Sequence, residues 1–205
     1  MKVLGISTSP RDNSNSDLLL RQALAGVQSV GAEAEYMRLC KYNISPCLEC
    51  GGCYATGDCL IQDDFQAVLP KLLETQRLIF ATPVFFMSVC TQAKILIDRC
   101  QCLWARKYLL KRPISGGQGM PRLAMVIAVG GTGNKKMFDS IRLTMKYYLD
   151  AIDMGYFANL FVGDVDEAGK IAGNADALGR AFRLGEELAS AVGAPKDPIE
   201  AELTG

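Results

Sequence analysis

Apolar positions along the chain follow two rhythms that take turns. Short aliphatic runs at residues 2–7, 33–39, 78–82, 123–129 and 156–162 read as strands. Between them, segments 16–30, 64–75, 89–104, 136–153 and 175–192 carry apolar residues three to four apart, as in LLLRQALAGV and LGRAFRLGEELASAV, and read as helices. Five strands alternating with five helices imply right-handed crossovers, and so a doubly wound α/β parallel sheet with helices on both faces. No internal repeat or linker divides the chain, so residues 1–205 are expected to form one domain. Pro70, inside AVLPKLLE, lacks a backbone donor and is expected to kink or interrupt the second helix. The tail 194–205, APKDPIEAELTG, mixes prolines with charges and is expected to be loosely held.

Composition narrows the chemistry. Lysines and arginines number 22 and acidic residues 22, so no net field recruits nucleic acid or an anionic membrane surface. The N-terminal apolar run is too short for a secretion signal and no later run approaches a membrane span, which reads as a cytoplasmic protein. Histidine is absent, removing Ser-His and Cys-His nucleophiles and mixed Cys/His metal sites. Eight cysteines in such a chain are more naturally reduced thiols or metal ligands than disulfides.

Three loops follow the carboxyl ends of predicted strands, the edge where open α/β sheets bind ligands. The first, STSPRDNSNSDLLL, matches neither a dinucleotide fingerprint nor a nucleotide P-loop, but is crowded with hydroxyls and amides. Opening at a helix N-terminus, with Arg11 as a cation, it suits one phosphomonoester; an Asx/Ser turn with a helix cap would use the same residues. The second, TPVFFMSVCTQAKILIDR, is aromatic, and the third, VGGTGNKK, is glycine-rich. Together they would supply an apolar wall and close backbone to a flat ring; singly, the phenylalanines suit packing and the glycines a turn.

On these stretches, and with its cysteines, the chain resembles the flavodoxin-like NADPH-dependent FMN reductase family, and most of all the iron–sulfur flavoproteins of anaerobic archaea and bacteria. The resemblance implies a five-stranded sheet in the order 2-1-3-4-5, with a cysteine-rich loop after strand 2. It implies an FMN phosphate held by Ser9, Arg11, Ser14, Asn15 and Ser16. The flavin ring would be walled by Pro83, Val84, Phe85 and Phe86 and by Gly130, Gly131, Thr132 and Gly133. Family members commonly carry tyrosine where Phe85 stands and glycine where Met87 stands.

The remaining motif is PCLECGGCYATGDC, with Cys47, Cys50, Cys53 and Cys59 spaced C-x2-C-x2-C-x5-C. Zinc sites usually pair two separated C-x2-C knuckles. Three cysteines at x2-x2 with a nearby fourth instead resemble the ferredoxin run that holds a [4Fe-4S] cluster in about residues 46–60. Gly51, Gly52 and Gly57 are expected to supply positive φ angles for a loop wrapped round a bulky core. Zinc and free or redox-paired thiols are the alternatives. Cys40, Cys90, Cys100 and Cys102 read as small buried hydrophobes.

The reading is an electron-transfer flavoprotein with FMN and [4Fe-4S], exchanging electrons with ferredoxin or another redox carrier, with NAD(P)H a further candidate donor. Its relatives' assembly implies a homodimer or homotetramer. The alternatives are an NAD(P)H-dependent FMN or quinone reductase without a cluster, and a flavin-binding regulatory protein without turnover.

Overall fold

A computed structural model describes residues 1–114 and 120–204. Its parallel strands are β1 (Lys2–Ser7), β2 (Glu33–Arg38), β3 (Arg77–Phe85), β5 (Leu123–Val129), β6 (Gly155–Gly163) and β7 (Ile199–Thr204). They lie in the order β2-β1-β3-β5-β6-β7, and the short β4 (Ser88–Val89) pairs antiparallel with the end of β3. The helices are α1 (Asn15–Ser29), α2 (Cys53–Thr56), α3 (Phe65–Glu74), α4 (Thr91–Arg99), α5 (Gln101–Trp104), α6 (Asp139–Ala151) and α7 (Ala175–Ser190).

The two-residue period of the strands sorts the core into two layers. Leu4 and Ile6 of β1 pack with Phe65, Val68 and Leu72 of α3, Leu96 of α4 and Ile141 and Met145 of α6. Val3, on the other face of β1, joins Leu19, Leu20 and Val27 of α1 and Leu184 and Leu188 of α7. Helices α1 and α7 cross at a pair of glycines. A Cβ on Gly26 would lie 2.0 Å from the Phe182 carbonyl oxygen, and one on Gly185 would lie 2.0 Å from that of Ala23. No other residue permits so close an approach.

Five expectations change. The sheet has six parallel strands rather than five among the described residues, because the tail is not loose: β7 adds to the edge of β6. Its alternation points Ala201 into the core, while Glu200 and Glu202 pair with Arg142 of α6 and Glu200 also accepts from Asn159. Gly205 lies outside the described residues. Pro70 does not interrupt α3; it is exposed, so the carbonyl four residues back, on the equally exposed Gln66, faces water instead of a missing donor.

Residues 83–85 continue β3 beyond Thr82 rather than forming a loop, because Val84 and Phe85 pair with Val89 and Ser88. The predicted helix 89–104 accordingly starts later, at Thr91, and breaks at Cys100 before α5 and a π turn at Ala105–Leu109. Among the described residues, no helix is long and apolar enough to cross a membrane.

Candidate functional site

The reversal of strand order between β1 and β3 opens a crevice at their carboxyl ends. Ser9, Arg11, Ser14, Asn15, Ser16, Pro83, Val84, Phe85 and Gly131 line one cleft there. Ser9, Ser14 and Ser16 are almost fully buried although polar, grouped at the N-terminus of the 15-residue α1. Ser14 caps that helix, accepting from the Asp17 amide at 3.3 Å, and its hydroxyl meets that of Ser16 at 3.4 Å. Hydroxyls, free helix-terminal amides and the exposed Arg11 guanidinium form a donor set suited to a phosphate.

Other predicted residues make further contacts or lie outside the cleft lining. The Asn15 side chain donates to the Glu167 carbonyl at 2.8 Å and accepts from the Ile171 amide at 3.2 Å, so it ties α1 to the loop after β6. Phe86 projects fully into solvent at the tip of the β3–β4 hairpin. Gly130, Thr132 and Gly133 are not among the residues that line the cleft, and a Cβ on Gly133 would lie 2.9 Å from an Asp164 carboxylate oxygen. Phe86 and Met87, the two hairpin turn residues, have φ of 48° and 61°, a conformation that favours glycine.

One wall of the cleft escaped sequence reasoning. Val165, Asp166 and Ala168 come from the loop after β6, and the Asp166 carbonyl accepts from Arg11 Nη1 at 3.3 Å. The signal was available, because VGDVDEAGK also follows the carboxyl end of a strand.

Cys47, Cys50, Cys53 and Cys59 line a second cavity, of about 580 Å³, between the loop before α3 and helices α4, α5 and α6. Among the described residues, no three Cys, Asp or Glu side chains draw together as ligands of a single ion. Burial pushes the Cys53 thiol up, and Cys59, Cys47 and Cys50 add to it. Gly51 and Gly57 have the expected positive φ, 71° and 81°. Gly52 does not, at −58°; a Cβ there would instead collide with the Leu60 side chain at 2.2 Å.

The loop is fastened by Arg99 at the end of α4. Its fully buried guanidinium donates to Asp63 through Nη1 (2.6 Å) and Nη2 (3.1 Å), and to the carbonyls of Ser45 at 2.8 Å and Ile61 at 3.2 Å. Asp63 also accepts from the Ser45 and Phe65 amides. These bonds bracket the cysteine loop at both ends, a role that only the tertiary structure reveals.

The other cysteines divide. Cys90 is buried, its sulfur 3.2 Å from the Thr8 carbonyl, beneath the first loop. Cys100 and Cys102 are buried as expected, yet they line the cysteine cavity. Burial pushes Cys102 up to about 12, with Cys59 and Cys53 adding to it, so it stays a neutral thiol. Cys40 is only half-buried, in the turn after β2, and so departs from the buried reading.

Two residues of the cavity lining each carry a buried donor without a hydrogen-bond partner, Arg99 Nε and the Tyr148 hydroxyl. Buried donors of this kind are costly unless an acceptor enters. Four thiols around a space larger than one ion requires, with two orphaned donors on residues of its lining, fit an anionic sulfur-rich group.

Over residues 1–161 the chain matches the NADPH-dependent FMN reductase family. It is 32% identical to an iron-sulfur flavoprotein of Methanocaldococcus jannaschii over 174 residues, 84% of this chain and 81% of that protein. Among solved structures, an NAD(P)H:quinone oxidoreductase from Methanothermobacter marburgensis aligns with a TM-score of 0.70 at 17% identity, over 92% of this chain and 98% of that one. A flavodoxin from the domain Archaea aligns at 0.55 and 11%, over 94% and 99%; both likenesses concern the fold alone. With its flavodoxin-like sheet and its hydroxyl-rich cleft at the strand reversal, the chain belongs to the NADPH-dependent FMN reductase family.

Proposed function

We propose that the chain is a one-domain electron-transfer flavoprotein that binds FMN in the cleft at the strand reversal and one [4Fe-4S] cluster at Cys47, Cys50, Cys53 and Cys59. A bound flavin exchanges two electrons together or one at a time and a cubane cluster exchanges one, so the pair would join a two-electron partner to a one-electron carrier such as ferredoxin. The observation that carries this reading is the second cavity: all four motif cysteines line it together with two buried donors that lack acceptors. The name of the M. jannaschii relative, iron-sulfur flavoprotein, supports it.

In this reading the chain's own groups position and shield. The hydroxyls of Ser9, Ser14 and Ser16, with Arg11, take the phosphate, and Pro83, Val84, Phe85 and Gly131 wall the ring. Asn15 holds the loop after β6 against the cleft. Helix α4 joins the two sites: its cap, Cys90, lies beneath the first loop, and its last residue, Arg99, enters the cysteine cavity. Its nine residues span about 13 Å.

Leu48, Tyr54, Leu60 and Tyr147 are exposed around the cysteine cavity, a rim suited to a docked redox carrier or to a second copy in a homodimer or homotetramer. Eight free thiols suit the reducing cytoplasm. The family itself favours a second reading, an NAD(P)H-dependent FMN or quinone reductase without a cluster. Anaerobic stopped-flow mixing with reduced ferredoxin separates the two. Rapid reduction of both chromophores supports electron transfer, whereas NAD(P)H-driven quinone turnover by iron-free protein supports the second reading.

A further inference from the structure

The Tyr148 ring packs edge-on against Phe80, with centroids 5.8 Å apart, which accounts for the ring and not for the hydroxyl at its end. That hydroxyl is buried beside Cys100, with no acceptor in hydrogen-bonding geometry. Arg99 is similar: Nη1 and Nη2 are fully used by the segments that flank the cysteine loop, while Nε, equally buried, is left over, and the side chain neighbours Cys59. Both residues line the cavity that the four motif cysteines share. Burial pushes the Tyr148 hydroxyl well up, with Cys100 adding to it, so it keeps its proton and remains a donor.

We propose that the Tyr148 hydroxyl and Arg99 Nε donate hydrogen bonds to sulfur atoms of the group that fills this cavity and thereby raise its reduction potential. This rests on the cluster reading above. A cluster becomes more negative on gaining an electron, so donors aimed at its sulfurs favour the reduced form. Both residues are positioning groups rather than ligands, since neither supplies a bond to iron. Tyr148 is the cleaner probe, because phenylalanine keeps the ring and removes only the donor, whereas Arg99 also fastens the loop.

The test uses anaerobically reconstituted wild type, Tyr148→Phe and Arg99→Lys, each assayed for iron, acid-labile sulfide and FMN. The cluster midpoint potential is then measured by EPR-monitored titration, and exchangeable deuterons near the cluster by pulsed EPR after transfer to D2O. Tyr148→Phe is expected to keep wild-type iron and sulfide, lose one exchangeable deuteron coupling and hold its electron roughly tenfold less tightly, about 59 mV lower for a one-electron couple. Arg99→Lys keeps a cation for Asp63 but lacks Nε, and its potential is expected to shift the same way.

Unchanged potential and couplings in Tyr148→Phe, with its cluster intact, would overturn the proposal while leaving the cluster reading in place. Wild type lacking iron and sulfide after reconstitution would overturn both.

Discussion

Arg99 and Asp63 form a two-bond ion pair inside the protein, Nη1 to Oδ2 at 2.6 Å and Nη2 to Oδ1 at 3.1 Å, with the arginine side chain wholly buried. The pair joins the end of α4 to the segment just after the last cysteine of the motif. Breaking a buried pair leaves one charge uncompensated, so Asp63→Asn is expected to cost about 3 kcal/mol at pH 7, read from urea unfolding.

The same pair sets a pH dependence. Burial alone would raise the Asp63 carboxyl, but Arg99 and the Ser45 and Phe65 amides outweigh it and hold the pKa at about 2, against an ordinary 3.8. The folded value is the lower one, so the stabilisation is complete above about pH 4 and is lost as pH falls through about 2. It amounts to roughly 2 kcal/mol. Wild type is expected to lose that increment between pH 4 and pH 2, and Asp63→Asn is not, as urea midpoints across the window would record.

Met87 carries backbone strain at the cleft's outer edge. Its φ of 61° puts a non-glycine residue in the left-handed region, and its side chain is nearly half exposed, so little packing opposes a change. Met87→Gly relieves the strain and gives back part of the gain as unfolded-chain entropy. A net stabilisation of about 0.5–1 kcal/mol is expected, measured as a higher denaturant midpoint with unchanged slope.

The Arg11 side chain is exposed and among the described residues donates only to the Asp166 carbonyl, so removing it leaves the core intact. Arg11→Ala is expected to weaken FMN binding about tenfold, the loss of one charge-assisted contact, with no drop in melting temperature of the flavin-free protein. Fluorescence titration with FMN measures the first and circular dichroism the second. FMN rather than FAD is expected on release from purified protein, identified by mass spectrometry, because the proposed site takes one phosphate.

How much of this was legible in the sequence depended on whether the signal was local. Strand β1 announced itself as a short apolar run buried on both faces, and helices α1 and α7 by periodicity, because each presents one apolar face to the core. Strand β7 carries the same signal in Ile199, Ala201 and Leu203, but the preceding APKDP outweighed it; what holds the strand is β6 and Arg142, both distant in sequence. The first loop lies at the strand reversal, and the side chain of Asn15 also ties α1 to the loop after β6, a contact set by the tertiary structure. The cysteine spacing marked its own loop. Arg99 and Tyr148 lie 40 and 89 residues beyond Cys59, and only folding brings them to the same cavity.

The central claim is that the four motif cysteines hold one [4Fe-4S] cluster beside a separately bound FMN. Iron, acid-labile sulfide and FMN, counted per chain in anaerobically reconstituted wild type and Cys53→Ala, test it most directly. Wild type is expected to hold about four irons and four sulfides with one FMN, and Cys53→Ala to lose nearly all iron and sulfide while retaining FMN, since three thiolates remain. Wild type that holds FMN with no iron or sulfide, or a Cys53→Ala protein with wild-type iron and sulfide, would contradict it.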